Sequence, residues 1–230
     1  MKLSIIIPVF NEAKTLSALA NAIHDVKIII EKELIFVDDC SSDGSRDILR
    51  SLQEENPEWK FVYHEINRGK GAALRSGFKE ATGDILLVQD SDLEYDPRDY
   101  PALLAPILEG HADVVFGSRF IGNGPHRVLF FWHSLGNSFL TMLSNMMTDL
   151  NLSDMEVGYK VFKKEVLKSI SLREERFGIE AELTAKIAHK KWKIYGVPIS
   201  YYGRDYTEGK KITWKDGFRA LWCILKYRFV

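Results

Sequence analysis

The feature that most restricts how this chain can fold is the regular alternation, through its first half, of short apolar runs with amphipathic stretches. Apolar runs at Leu3–Val9, Leu34–Asp38, Lys60–His64, Ile85–Gln89 and Val114–Gly117 have strand length. Between them, Glu12–Val26, Ser45–Glu54 and Gly71–Ala81 carry apolar residues at helical spacing, as with Leu16, Leu19, Ala20 and Ile23. Strands alternating with helices imply an α/β fold around a mainly parallel sheet. In such sheets ligands bind beyond the carboxyl ends of the strands. Here those ends carry Phe10-Asn11-Glu12, Asp38-Asp39, Asp90-Ser91-Asp92 and Ser118-Arg119.

The second half has a different texture. Arg127–Leu150 mixes large apolar residues with Ser, Asn, His and Thr, which predicts one or two amphipathic helices. A helix over Ile179–Ala188 and a strand over Trp192–Val197 precede a charged loop, Gly203–Lys211. The final stretch, Trp214–Val230, interleaves Trp214, Phe218, Trp222, Tyr227 and Phe229 with Lys215, Arg219, Lys226 and Arg228. That pattern suits a helix lying in a membrane interface, with basic groups reaching anionic headgroups. The competing reading is that these aromatics close the core or pair two copies as a homodimer.

With 230 residues, the chain is expected to form one domain. A net charge of −1 offers no basic field for nucleic acid. Two distant cysteines, Cys40 and Cys223, give neither metal-ligand spacing nor a disulfide framework, which points to a reducing, cytoplasmic setting. No apolar run approaches the roughly 20 residues of a spanning helix.

Leu86-Leu87-Val88-Gln89-Asp90-Ser91-Asp92-Leu93-Glu94 is the most informative string. An apolar strand ends in carboxylates at alternate positions, and like charges so placed call for a cation. Hard oxygen donors suit Mg²⁺ or Mn²⁺, which could bridge a diphosphate. The alternative is an acidic turn capped by Asp96-Pro97. Asp38-Asp39 could accept hydrogen bonds from a base or ribose, while Ser41–Ser45 cap the next helix. Asn67-Arg68-Gly69-Lys70-Gly71 could bring amides and Lys70 to phosphate oxygens, or be a plain turn.

Taken in order, Ile5–Glu12, Val37-Asp38-Asp39, Asn67–Gly71, Asp90-Ser91-Asp92, Gly117-Ser118-Arg119, Asp154–Lys160 and the Glu180 region resemble the family 2 glycosyltransferases. Within them, the likeness is to the polyprenyl-phosphate enzymes, dolichol-phosphate mannose synthase included. The resemblance implies a GT-A fold, Rossmann-like, with a mixed, mainly parallel sheet flanked by helices and amphipathic helices towards the carboxyl terminus. It assigns 1–118 to a nucleotide-sugar-binding half and 119–230 to an acceptor-binding half.

It further implies a nucleotide pocket from Pro8, Phe10, Glu12, Val37 and Asp39, with Lys70 and Ser91 also on the donor side. Asp90, Asp92 and Glu94 would surround the metal and diphosphate, and Asp92, Arg119 and Glu94 would carry the chemistry. Glu94 stands where the family often has Gln. Arg204, Lys210 and Lys211 have the character of the family's basic flap over the diphosphate. Arg119, with His133, would meet the acceptor.

The implied activity is inverting transfer of a hexose from a UDP-sugar or GDP-mannose to a polyprenyl or dolichyl phosphate, by a peripheral enzyme at the cytoplasmic membrane face. A lipid phosphate is already an anionic nucleophile and needs no general base. A sugar hydroxyl would need one, and Glu180, Glu182 and Asp154 are the candidates. Two alternatives stay open: a non-lipid acceptor on the same fold, and a sugar-nucleotide nucleotidyltransferase. The second would ordinarily place a glycine-rich loop after the first strand, where this chain has Phe10-Asn11-Glu12-Ala13.

Overall fold

A seven-stranded sheet runs through the molecule in the order β3-β2-β1-β4-β6-β5-β7. The computed structural model describes residues 1–122, 127, 131–205, 209, 211 and 214–229. Strands β1 (Lys2–Val9), β2 (Glu31–Asp38), β3 (Lys60–Tyr63) and β4 (Ile85–Val88) are parallel neighbours. Helices α1 (Leu16–Asp25), α2 (Ser45–Glu55) and α3 (Lys70–Glu80) connect them. β1 is almost wholly buried, and its Leu3, Ile5, Ile6 and Ile7 pack in the central core. An all-apolar run is what a strand covered on both faces requires. α1 begins at Leu16 rather than Glu12, because the chain first turns through Asn11 at φ 52°.

Beyond β4 the sheet becomes mixed. α4 (Tyr100–Leu108) leads to β5 (Val114–Ser118), and β6 (Lys160–Lys163) inserts between β4 and β5, antiparallel to both. A short α6 (Lys164–Lys168) follows β6; α7 (Ile179–His189) then leads to β7 (Ile194–Pro198), parallel to β5. α4, β6 and α6 are absent from the sequence reading. α4 carries two prolines that mask its helical pattern: Pro101 lies in the first turn, where a missing N–H costs little, and Pro106 lies inside the helix. β6 is only four residues long and starts on a fully covered lysine, so its apolar pattern is weak.

One amphipathic helix, α5 (Phe131–Thr148), occupies the 127–150 region among the described residues, and α8 (Trp214–Tyr227) lies near the end of the chain. They meet over a second small cluster of Met155, Ala181, Ala185, Cys223, Ile224 and Tyr227. Their outer faces expose Trp132, Phe139, Met142 and Met146 on α5, and Trp214, Phe218 and Trp222 on α8. No helix among the described residues is long and apolar enough to cross a membrane.

α8 is locked down by Glu174, which is 3% exposed. Its carboxylate accepts from Arg219 at 2.5 Å, Lys226 at 2.8 Å and the Tyr227 hydroxyl at 2.8 Å. Burial opposes that charge, but these donors outweigh it and hold the carboxyl at about 2.

Candidate active site

Three loops at the carboxyl ends of β1, β2 and β4 each contain a non-glycine residue in the left-handed region: Asn11 at φ 52°, Cys40 at φ 62° and Leu93 at φ 59°. For leucine that conformation is uncommon and strained, by about 1–3 kcal/mol. The turn it makes is fixed by the Glu94 amide donating to Asp92 Oδ1 at 3.1 Å. The acidic strand end is therefore a shaped loop at the carboxyl end of β4.

Basic groups hold its carboxylates. Lys70, at the start of α3, reaches Asp90 at 2.8 Å and Glu180 at 3.0 Å. Burial disfavours the ammonium, yet Asp90 and Glu180 outweigh it and keep its pKa well above the ordinary lysine value. Gly158 is required beside this pair, since a Cβ there would fall 2.1 Å from Asp90 Oδ2. Arg204 comes from the far end of the chain to bond both oxygens of Glu12, at 3.0 and 3.1 Å, and Asp92 at 3.0 Å; its Nε lies 3.5 Å from Glu94. Lys211 adds a 2.6 Å contact to Glu12 and lies over the Phe10 ring. Even so, burial, followed by the charges of Asp90 and Glu94, pushes Asp92 up to about 7.

Five acids, Glu12, Asp90, Asp92, Glu94 and Glu180, thus face three cations, Lys70, Arg204 and Lys211. The site's donors are carboxylate oxygens, which suit a hard divalent ion. Among the described residues, however, no three acidic, histidine or cysteine side chains converge tightly enough to hold one. Glu94 is instead engaged by the Tyr201 hydroxyl at 2.8 Å and the Arg204 amide at 2.9 Å. The chain therefore offers Asp90 and Asp92 as an incomplete ligand set that phosphate oxygens and water would complete, the usual arrangement for Mg²⁺.

On the nucleotide side the expected residues diverge. Pro8 and Ser91 sit at the ends of the β1 and β4 runs, and Phe10 is exposed at the mouth. Val37 is fully covered inside β2 and presents only backbone. Asp39 is 2% exposed and already accepts from His64 Nδ1 at 2.7 Å and the amides of Arg68 and Gly69 at 2.9 and 2.6 Å. It ties the β2 loop to the glycine loop that starts α3. Lys210 lies outside the described residues.

Arg119, at the end of β5, is gripped by Asp154 through Nε at 2.6 Å and Nη2 at 2.7 Å, and also donates to Asn137 of α5 at 3.1 Å. Its guanidinium lies 5.2 Å from the centre of the Tyr201 ring. Asp154 is thus committed to Arg119 and is not free to act as a base. Glu182 is likewise committed, accepting from the amides of Arg173 and Glu174 and from Lys186 at 2.6 Å. His133 is half-buried in the first turn of α5. Tyr201, Gly158 and Glu156 are cleft residues that sequence reasoning missed. For Glu156 there was a signal, a lone carboxylate between Met155 and Val157.

Known proteins add a consistent picture. The description of Glycosyl transferase family 2 matches residues 4–171. A dolichol-phosphate mannosyltransferase from Pyrococcus furiosus is 30% identical over 212 residues, which is 91% of this chain and 59% of that protein. An undecaprenyl-phosphate mannosyltransferase from Micrococcus luteus is 28% identical, covering 91% of this chain and 87% of the relative. Among solved structures, glucosyl-3-phosphoglycerate synthase from Mycobacterium tuberculosis, crystallised with Mn²⁺, UDP and glucosyl-3-phosphoglycerate, superposes with a TM-score of 0.76 at 19% identity. It covers all of this chain and 80% of that one, and the shared fold is the expected GT-A architecture.

Proposed function

The chain belongs to glycosyl transferase family 2, and from that premise we propose that it moves a hexose from a nucleotide diphosphate sugar to a polyprenyl phosphate at a membrane surface. One observation carries the choice of acceptor. Arg119, a covered guanidinium suited to phosphate, is tied through Asn137 to α5, the helix whose outer face exposes Trp132, Phe139, Met142 and Met146. A phosphate headgroup on an apolar chain matches that juxtaposition. The relatives' names supply the same acceptor class, with mannose as their sugar.

In this reading residues 1–118 bind the donor and 119–230 the acceptor. Asp90 and Asp92 would hold Mg²⁺ or Mn²⁺ against the donor diphosphate. Such an ion, when bound, offsets charge on the departing nucleotide. Arg204 and Lys211 exchange their carboxylate partners for diphosphate oxygens as the donor enters. Glu94 positions Arg204 and Tyr201. Arg119 orients the acceptor phosphate, whose own negative oxygen attacks the anomeric carbon as the bond to the diphosphate breaks, inverting that carbon. No side chain needs to remove a proton from the nucleophile. α5 and α8 rest on the cytoplasmic face of the bilayer as interfacial helices, aromatics inward and Lys215 and Arg228 towards headgroups, Arg219 and Lys226 being held by Glu174.

The test is incubation of purified protein with polyprenyl phosphate, Mn²⁺ and radiolabelled UDP- and GDP-sugars. Label should pass into the organic phase with one donor. Transfer to a soluble saccharide with no lipid product would defeat the acceptor assignment.

A further inference from the structure

Between the donor carboxylates and the acceptor arginine, the chain runs through a single segment, 154–158. Asp154 grips Arg119 at one end. Gly158 abuts Asp90 at the other. Glu156 lies halfway, and its Oε1 is sealed from solvent without a hydrogen-bond partner. Across from this segment, Glu180 opens α7; it is 6% exposed and gives one oxygen to Lys70 at 3.0 Å. Its second oxygen, Oε2, is also buried and unpartnered. Lys70 takes only the other oxygen of Glu180, and Lys160 Nζ donates to the carbonyls of Met155 and Val157.

A buried polar atom without a partner costs about 1–3 kcal/mol, and this chain satisfies its other buried carboxylates well. Asp154, Glu174 and Glu182 all have full sets of donors. Two open acceptors lying between the diphosphate-binding and acceptor-binding groups are therefore best explained by a ligand that brings its own O–H donors. An ionised phosphate offers acceptor oxygens and no O–H donors, so it does not satisfy them. A polyprenyl chain has no hydroxyl to give. Resting on the function proposed above, we infer that Glu156, with the free oxygen of Glu180, forms the subsite that reads the hydroxyls of the donor's hexose, and that it selects a neutral sugar over a uronic acid. Burial and then the charge of Glu180 push Glu156 up to about 7, against the opposing charges of Lys160 and Arg119.

The inference separates from a structural role because it predicts opposite signs in two measurements. Glu156→Gln removes an acidic group whose covered oxygen the free protein leaves without a partner, so the thermal midpoint should hold or rise. The same change should weaken recognition of the hexose. Titrations of the metal-supplemented protein with UDP, GDP, UDP-glucose, UDP-glucuronate and GDP-mannose give the gain in affinity that the sugar adds to its nucleotide. In the wild type that gain should appear for a neutral sugar and be absent for the glucuronate. In Glu156→Gln the gain should fall about tenfold while UDP or GDP alone binds as before. A lower midpoint in the variant, or an undiminished sugar gain, overturns the subsite while leaving glycosyl transfer standing. Failure of any nucleotide to bind the wild type would instead overturn the functional reading, and the subsite with it.

Discussion

Beneath α8, Glu174 receives Arg219, Lys226 and Tyr227, and its carboxyl is held near 2; in the cleft, Glu156 keeps an open oxygen and rises to about 7. Both are acidic side chains in the second half of the chain. The difference lies in what surrounds them: α8 is built to satisfy a charge, whereas the cleft leaves charge unsatisfied. Satisfied carboxylates contribute to folding, and unsatisfied ones are held in reserve for a ligand at a cost in stability. The contrast extends to Asp92, also at about 7, although Arg204 lies against it. Substitutions at the lock should therefore lower stability, and substitutions in the cleft should lower activity.

The largest effect is expected at the lock. Glu174→Ala leaves the buried Tyr227 hydroxyl without its acceptor and releases the part-exposed Arg219 and Lys226 to water, and should cost about 3 kcal/mol, read as a lower denaturation midpoint. Glu174 also gives the comparison a pH signature. Its folded pKa is depressed, so its stabilisation is complete above the ordinary glutamate value and disappears as pH falls from about 4.5 to about 2. Glu174→Gln should flatten that acid limb in a stability–pH series. An unchanged limb would show that the lock is not what acid breaks.

Next is Asp92→Asn, which keeps the shape of the acidic turn and removes a charge the proposed ion needs. Turnover should drop by about a hundredfold or more, equivalent to about 2.7 kcal/mol, while the denaturation midpoint stays within a few degrees. Near-normal turnover with EDTA present would contradict the role given to both aspartates. Gly158→Ala mixes the two kinds of effect. Its new Cβ would meet Asp90 Oδ2 at 2.1 Å, so the aspartate or the backbone must shift. Overpacking of this sort costs about 1–3 kcal/mol, and the rate should fall further than the midpoint alone explains.

The contrast also marks how far the sequence could be read. The strand-end acids were legible because Leu86-Leu87-Val88 and Asp90-Ser91-Asp92 lie side by side in the chain, and a local pattern suffices to place them. Arg204 was legible as a basic loop residue, but not its grip on Glu12, 192 positions away. The lock was invisible for the same reason. Glu174 meets Arg219 across 45 positions and Tyr227 across 53, and no periodicity reports such pairs. Asp39 has a second task that its position in the chain does not report. Its strand-end position suggests a nucleotide contact, and in the fold its oxygens also accept from His64, Arg68 and Gly69, which are 25 to 30 positions away. Periodicity also under-reported β6, because Lys160 is buried by bending its ammonium onto local carbonyls.

The smallest effect on folding, and the sharpest for the membrane reading, belongs to the outer face of α8. Trp222 is 59% exposed and Phe218 65%, while Cys223 and Tyr227 on the inner face are covered. Replacing Trp222 and Phe218 together with Ser removes apolar area that is in water already, so the midpoint should change by no more than about 0.5 kcal/mol per site. If that face enters a bilayer, the same double variant loses the area it would have buried there, at about 25 cal/mol per Å². Sedimentation with vesicles containing anionic lipid should then show at least about a tenfold loss of binding, with transfer to a short-chain, water-soluble polyprenyl phosphate largely preserved. Vesicle binding that survives the substitutions would move the contact off α8. A wild-type dimer that the substitutions dissociate, with no vesicle binding in either protein, would give the face to a second copy of the chain.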